Sequence, residues 1–168
     1  VLGFYLLVLL NPESSVGGFW MELTGASLTF SFSGLVLASI VYSLPFMVQP
    51  LHAAFRAVPE AVMEAAATLG ASSWDRWRNV ALPLAKRGYV TGGVLTFAHT
   101  VGEFGVVLMM GGNIPGETRV LSIAIYEHVE TLNYDAAHTL ALGLLCFSFA
   151  SLWLVYRYAG HRFEVVRG

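Results

Sequence analysis

Four long stretches of this chain contain no Asp, Glu, Lys or Arg, and they limit the folds open to it more than any other feature. They cover residues 23–55, 88–102, 104–116 and 136–156. A bilayer core about 30 Å thick needs roughly 20 consecutive apolar residues in a helix to cross it. The sequence therefore predicts three membrane-spanning helices, near 30–51, 88–110 and 136–157.

The composition points to the same class of protein. Of the 168 residues, 56% are hydrophobic and 12% are charged, whereas a soluble domain carries about 25% charged residues. We therefore expect an all-α, polytopic membrane bundle. The opening VLGFYLLVLL stops at Asn11-Pro12 and is too short to cross a bilayer. Because it lacks an initial Met, a basic region and a cleavage site, we interpret it as the end of a truncated helix rather than a signal peptide, and expect at least one upstream helix to be missing.

The basic residues are confined almost entirely to one side of the predicted spans. Lys and Arg accumulate in cytoplasmic loops, and eight of the nine basic residues follow either the 30–51 span or the 136–157 span: Arg56, Arg76, Arg78, Lys86, Arg87, Arg157, Arg162 and Arg167. The connections 11–29 and 111–135 contain only Arg119 among the basic residues, together with several carboxylates. We therefore predict that these two connections face outward and that the 59–83 segment and the tail at 160–168 are cytoplasmic.

Two short helices are predicted in the cytoplasmic segment 59–83, which contains EAAATLGASSWDRWRNVALP at 64–83. Pro59 suits the first turn of the first helix, and Gly70 stands where a left-handed residue would end it. Ser72 and Asp75 form a capping box for the second helix, which Pro83 stops or bends. The apolar residues of the first helix recur at i, i+3, i+4 and i+7, as on one face of an amphipathic helix: Val62, Ala65, Ala66 and Leu69.

Such a hairpin can lie at the lipid headgroups or bind a protein. The lipid interpretation relies on Trp74 and Trp77 lying beside Arg76 and Arg78, since Trp and Arg both favour the headgroup region. The protein interpretation relies on the small Ala65-Ala66 face, which would let the helix enter a groove closely. The residues alone leave both alternatives open.

The spacing in this segment resembles the EAA loop of type-1 ABC importer permeases. That signature reads Glu-Ala-Ala, three residues, Gly, nine residues, Ile, one residue, Leu-Pro, and this chain departs from it only in having Val80 for the Ile. The resemblance implies a type-1 permease fold over 1–159 and a coupling loop at 59–83 that seats in a cleft of a cytoplasmic ATPase subunit and transmits its closure. The residues implied to dock there are Glu64, Ala65, Ala66, Leu69, Gly70, Leu82 and Pro83.

Two further motifs resemble the molybdate permease family, and with the EAA loop they cover essentially the whole chain. GEFG at 102–105 is shared with sulfate permeases, whereas NIPGETR at 113–119 is more similar to the molybdate branch. The implied function is molybdate translocation, with sulfate, thiosulfate or tungstate as alternative substrates. The implied gate or pathway residues are Gly102, Glu103, Phe104 and Gly105, and the implied outer-loop residues are Asn113, Pro115, Gly116, Glu117 and Arg119.

The resemblance also implies partners in a bacterial inner membrane. They are cytoplasmic ABC ATPase subunits that use ATP and Mg, a periplasmic or lipid-anchored oxyanion-binding protein, and a second copy of this chain. The sequence has no G-x-x-x-x-G-K-[ST] motif, so we expect a translocation subunit that is not an enzyme, binds no cofactor and takes its energy from another chain. A nucleic-acid partner is not expected.

Glu103 and Arg119 are the ionisable residues that most need an interpretation. An ionisable residue within a span usually faces the bundle interior or a cavity, but a carboxylate would repel an oxyanion. We therefore expect Glu103 to be structural or gating, hydrogen-bonded across a dimer or near His99, with an exposed outer position and direct substrate contact as alternatives. We expect Arg119 to form a salt bridge with a carboxylate of this chain or of a docked binding protein, with anion contact as the alternative.

Other classes of protein fit less well. An intramembrane enzyme using Glu103 and His99 would lack a nucleophile or second carboxylate. A DNA-binding helix-turn-helix at 60–80 is disfavoured by its acidic residues and flanking spans, and a membrane scaffold independent of any ATPase remains an alternative. The single cysteine, Cys146, permits no disulfide framework. The histidines lack metal-ligand spacing and are interpreted as structural: His52, His99, His128, His138 and His161.

Overall fold

The computed structural model describes residues 1–160, with side chains except at 155, 156 and 158–160. The predicted tail beyond residue 160, with His161, Arg162 and Arg167, lies outside the described residues. Within 1–160 the secondary structure is helical. The helices are α1 (Leu2–Leu10), α2 (Ser15–Thr24), α3 (Phe32–Arg56), α4 (Glu60–Thr68), α5 (Ser73–Arg76), a π-helical turn (Trp77–Ala81), α6 (Leu82–Leu84), α7 (Lys86–Gly102), α8 (Gly105–Gly111), α9 (Leu121–Glu130) and α10 (Tyr134–Gly160).

Two of the three predicted spans are continuous helices. α3 and α10 are long and apolar enough to cross a membrane, and α3 continues through Pro45 and Pro50. The prediction of a continuous span at 88–110 is wrong: α7 and α8 are separate helices that meet at an angle of 64°. Gly102 and Gly105 flank the break, where glycine favours a helix least among residues other than proline. Residues 1–160 therefore contain two continuous candidate spans, and a third, broken one if α7 and α8 are counted together.

Both connections that the sequence predicts to face outward contain a helix that the sequence interpretation did not include. α2 lies in the 11–29 connection, where Ser14 accepts a hydrogen bond from the Gly17 N–H at its start and Gly25 adopts φ +71° at its end. α9 lies in the 111–135 connection. Ser14 and Gly25 are capping residues that indicate a helix from the sequence alone. The sequence interpretation did not use them and therefore missed α2.

The chain divides into two compact units. The first contains 1–43 and 99–149, and the second contains 44–98 and the residues from 150 onward. In the first unit α1 packs closely against α8. A Cβ on Gly3 would lie only 3.0 Å from the Met109 sulfur, so the missing side chain allows this approach. Its core is an apolar cluster of buried residues from the helices and from the connection before α3: Leu6, Leu10, Leu28, Leu35, Ala38, Val106, Val107, Met110 and Ile123.

The second unit is organised by close packing of α3 on α7. A Cβ on Gly88 would lie 2.4 Å from the Ala54 Cβ and 2.9 Å from the Pro50 carbonyl oxygen, and one on Gly92 would lie 2.7 Å from the Met47 sulfur. These glycines are spaced as in the small-xxx-small motif that lets membrane helices approach closely. The segment between α3 and α7 is therefore attached at both ends to one tightly packed helix pair.

Candidate functional site

The 59–83 segment, which we name the coupling hairpin, forms its first helix as the sequence predicts. α4 ends with Gly70 at φ +86°. The Gly70 N–H donates to the Ala67 carbonyl at 2.9 Å, and the Ala71 N–H donates to the Ala66 carbonyl at 3.1 Å. This pair of hydrogen bonds is the Schellman motif, which satisfies the last carbonyls of a helix and turns the chain sharply. The predicted left-handed position of Gly70 is confirmed.

The second half of the coupling hairpin begins at the predicted cap. The Asp75 N–H donates to Ser72 Oγ at 3.2 Å, and Ser72 Oγ donates to Asp75 Oδ2 at 2.6 Å. The helix does not stop at Pro83 but continues through it to Leu84, after the π-helical turn. Proline lacks an N–H and crowds the carbonyl four residues earlier, and the wider π turn before Pro83 accommodates it.

The coupling hairpin leaves much of its apolar surface uncovered. Leu69 is 88% exposed and Trp74 is 62% exposed, and the Trp74 and Trp77 rings stack with centroids 4.9 Å apart. α4 contains no buried residue. A contiguous exposed apolar patch marks a protein or membrane contact. Of the seven predicted docking residues, five are exposed and two are half-buried: Glu64, Ala65, Leu69, Gly70 and Pro83 in the first group, Ala66 and Leu82 in the second.

The break between α7 and α8 is built around Glu103. Its Oε1 accepts a hydrogen bond of 2.7 Å from the Val106 N–H, one of the free amides at the start of α8. Glu103 lies one residue before the N-cap, Phe104, so the longer glutamate side chain is needed to reach Val106. A carboxylate beside a helix N-terminus is also electrostatically favoured. Glu103 is half-buried and its carboxylate is hydrogen-bonded to the backbone. Gly102 and Gly105 beside it are exposed.

Residues from two other helices complete the break, and sequence reasoning did not find them. Ser122 of α9 donates from Oγ to the Glu103 carbonyl oxygen at 2.7 Å. The Phe104 ring packs on the Tyr126 ring of α9, with centroids 4.6 Å apart. The Glu103 carboxylate also interacts with the Tyr42 hydroxyl of α3. These partners are far from Glu103 in sequence, and no local pattern identifies them.

A polar cluster lies beside the break on α3 and α7. The Tyr42 ring stacks on the His99 imidazole, with centroids 4.5 Å apart. The buried Ser43 hydroxyl lies 2.8 Å from the Thr100 hydroxyl and 3.4 Å from His99 Nδ1. Side-chain hydrogen bonds of this kind join membrane helices. His99 therefore lies in a structural contact between α3 and α7.

The loop at 112–120, which the charge distribution predicts to face outward and which we name the outer loop, is held by side-chain contacts. Arg119 donates from Nε to Asn113 Oδ1 at 2.7 Å and forms a salt bridge of 3.1 Å with Glu127. Asn113 Nδ2 donates to Glu127 Oε2 at 3.0 Å, which closes a three-residue network. Thr118, 1% exposed, donates to the Gly111 carbonyl at 2.6 Å. The ion pair expected of Arg119 is thus formed with a carboxylate of this chain.

The other predicted outer-loop residues form its exposed tip. Pro115, Gly116 and Glu117 are exposed, and Gly116 adopts φ +79°. Near the other end of α9, Tyr126 donates a hydrogen bond to Glu130. That hydrogen bond, the negative charge of Glu130 and, to a smaller extent, desolvation raise the pKa of the Tyr126 phenol. Among residues 1–160, no three His, Cys, Asp or Glu side chains come together in a way that would hold a metal ion.

Comparison with known proteins gives relatives named as transport system permeases. The chain is 52% identical over 156 residues to "Molybdenum transport system permease protein ModB" of Azotobacter vinelandii, which covers 93% of this chain and 69% of that relative. It is 38% identical over 131 residues to the protein of the same name of Escherichia coli K12, covering 78% of this chain and 57% of the relative. It is 31% identical over 165 residues to "Probable sulfate transport system permease protein cysT" of Chlorella vulgaris, covering 98% of this chain and 62% of the relative.

These relatives are transport permeases, and together with the apolar helices they indicate a multi-pass inner-membrane protein. The family model described as "Binding-protein-dependent transport system inner membrane component" matches residues 1–161. That match includes the coupling hairpin, the broken span and the outer loop. The chain therefore belongs to the family of binding-protein-dependent transport system inner membrane components.

Proposed function

We propose that this chain is the permease subunit of an ATP-driven importer that moves molybdate across a bacterial inner membrane. The observation that carries the proposal is the 52% identity to a molybdenum transport permease over 93% of this chain. Two copies of the chain form the pathway, an extracytoplasmic oxyanion-binding protein delivers the substrate, and separate ATPase subunits that use ATP and Mg supply the energy. The C-terminus faces the cytoplasm, in accord with the distribution of Lys and Arg.

The coupling hairpin is the proposed contact with the ATPase. Its exposed Leu69 and small Ala65-Ala66 face fit a groove in a partner. Since α3 and α7 pack closely at Gly88 and Gly92, a push on the hairpin moves both helices as one body rather than bending one of them. Nucleotide-dependent closure of the ATPase then reaches the membrane as a rigid-body motion.

Three stretches of the proposed spans contribute no Lys or Arg to the pathway. They are residues 23–55, 88–102 and 136–156, so an anion meets no arginine or lysine charge in these stretches. Glu103 holds the Val106 amide and acts in this proposal as a structural and gating residue rather than a ligand.

Sulfate is the second candidate substrate, because a sulfate permease relative matches 98% of the chain at 31% identity. The test uses the full-length protein in proteoliposomes with its ATPase and binding protein, and measures ATP-dependent uptake of labelled molybdate with excess unlabelled sulfate. We expect uptake that sulfate does not suppress. Suppression by sulfate would transfer the assignment to sulfate, and absence of ATP-dependent uptake of either anion would overturn the transport proposal.

Docking of the ATPase is tested by a substitution that the fold tolerates. Leu69→Asp places a charge on an 88% exposed side chain, so we expect normal insertion, loss of ATPase co-purification and loss of uptake. Leu132→Asp is the matched control, because Leu132 is 71% exposed and lies between α9 and α10. ATPase retention by Leu69→Asp, or equal loss in both variants, would contradict the docking assignment.

Orientation is tested by cysteine labelling of intact cells. In a Cys146→Ser background, Ser73→Cys places the only thiol on the exposed coupling hairpin. We expect an impermeant maleimide to label it only after the cytoplasmic side is opened, whereas Glu117→Cys in the outer loop labels directly. Labelling of Ser73→Cys from outside would reverse the proposed topology.

A further inference from the structure

Besides the Tyr42 contact from α3, three contacts hold the break between α7 and α8, and two of them come from α9. Ser122 Oγ donates to the Glu103 carbonyl, and the Tyr126 ring packs on Phe104. The third contact, from Glu103 Oε1 to the Val106 N–H, is made within the break itself. A backbone carbonyl freed where a helix is interrupted needs another donor, because unpaired backbone groups at membrane depth are unfavourable. Ser122 supplies that donor.

The same short helix is tied to the outer loop. Glu127, five residues after Ser122, accepts hydrogen bonds from Asn113 Nδ2 and Arg119 Nη2 at 3.0 and 3.2 Å. α9 is seated in the core by Ile123, which is 1% exposed. It therefore joins the outer loop and the break directly, with no intervening element. The contacts between the loop and the Glu103 carbonyl therefore run through α9.

We propose that α9 fixes the bend between α7 and α8, and we call this arrangement the latch. Ser122 and Tyr126 are positioning residues that hold the bend, and Glu127 connects α9 to the outer loop. Ser122 and Tyr126 act through the geometry of Glu103 and Phe104, which they contact directly. The consequence for transport rests on the proposed function, whereas the latch itself does not.

Amide hydrogen exchange tests the latch without reference to transport. In the full-length protein in nanodiscs, Ser122→Ala is expected to speed exchange of the amides at 103–108 about fivefold, the factor expected for one lost hydrogen bond. Ser122→Thr keeps a hydroxyl and is expected to restore the wild-type rate. The matched control is Ser148→Ala, because the Ser148 hydroxyl donates only to the Leu144 carbonyl of its own helix among the contacts described.

Tyr126 provides a second and independent variant pair. Tyr126→Phe keeps the ring on Phe104 and is expected to leave exchange at 103–108 unchanged, whereas Tyr126→Ala removes the ring contact and is expected to speed it. Unchanged exchange in both Ser122→Ala and Tyr126→Ala would overturn the latch. Equal acceleration throughout the protein would also overturn it, because that result describes general destabilisation.

Uptake separates the latch from the proposed function. If wild-type protein transports molybdate, Ser122→Ala is expected to lower the number of anions moved per ATP hydrolysed, and Ser122→Thr to restore it. A wild-type ratio in Ser122→Ala would overturn the role of the latch in transport. If wild-type protein transports neither molybdate nor sulfate, the proposed function fails, and the exchange result alone supports or overturns the latch.

Discussion

The coupling hairpin and the outer loop with α9 are both irregular connections between spans, yet they are built in different ways. The hairpin is shaped by helix-capping hydrogen bonds between residues three to five apart. Examples are the Schellman hydrogen bonds around Gly70 and the hydrogen bond from the Asp75 N–H to the Ser72 hydroxyl. The outer region is shaped by side chains that join distant residues, such as Arg119 to Glu127 and Ser122 to Glu103. The hairpin leaves Leu69 exposed, whereas α9 buries Ile123.

This difference indicates different uses. A segment that satisfies its own backbone and exposes its apolar side chains needs no contact with the rest of its chain to keep its shape, and is suited to a partner. A segment whose side chains are bonded to neighbouring elements moves only together with them. These two constructions agree with the proposed roles of the hairpin as a contact for a partner and of α9 as a link between the outer loop and the break.

The largest effect is expected where the hairpin joins its spans. Gly88→Ala would bring a Cβ within 2.4 Å of the Ala54 Cβ, and such overpacking costs about 1–3 kcal/mol. We expect a lower thermal midpoint in detergent and lost uptake. Gly93→Ala is the matched control, because a Cβ there meets nothing within 4 Å. Equal losses in the two variants would show that the α3–α7 contact at Gly88 does not support the hairpin.

A matched pair of glycines compares the two regions directly. Gly70 at φ +86° and Gly116 at φ +79° both have open space where a Cβ would lie, so Ala at either position pays only the left-handed backbone penalty, about 1–2 kcal/mol. We expect Gly70→Ala to uncouple ATP hydrolysis from uptake and Gly116→Ala to leave the ATP requirement unchanged. Uptake and ATPase activity are measured together. The same number of anions moved per ATP hydrolysed in both variants would show that the hairpin and the outer loop do not differ in coupling.

A smaller effect is expected from the outer network. Arg119 and Glu127 are about one-third exposed, and a pair of this exposure contributes about 0.2–1 kcal/mol, reduced by salt. We expect Arg119→Ala and Glu127→Gln to be non-additive in a double-mutant cycle of thermal stability, with a coupling energy that falls at high ionic strength. A coupling energy of zero at low salt would show that the network does not hold the loop.

The smallest effect concerns the titration of Tyr126. Glu130 raises the pKa of its phenol, so the protonated phenol is favoured in the folded state. That contribution to stability is present below the ordinary Tyr pKa of about 10 and is lost as the pH rises through the higher folded value. We expect Glu130→Gln to lower the Tyr126 pKa, measured by NMR titration of labelled tyrosine and assigned with Tyr126→Phe. An unchanged Tyr126 pKa in Glu130→Gln would show that Glu130 does not raise it.

The sequence predicted the features that depend on local chemistry. The uncharged stretches predicted α3 and α10 because apolar length is what a bilayer requires. Gly70 and Ser72 predicted the turn and cap of the coupling hairpin, because helix ends are satisfied within a few residues. The roles of the hairpin in ATPase docking and of Glu103 in gating stay predictions until the variants above are measured.

Only the tertiary structure decided the features that depend on distant partners. The uncharged stretches 88–102 and 104–116 favoured one continuous span, and the glycines at 102 and 105 alone did not show that it breaks, because the break is stabilised by Ser122, Tyr126 and Tyr42 from other helices. The choice of Glu127 as the partner of Arg119, over the adjacent Glu117, likewise depends on where α9 packs. Local patterns determine which segments form helices, whereas the donors that satisfy an interrupted helix come from whatever the fold brings near it.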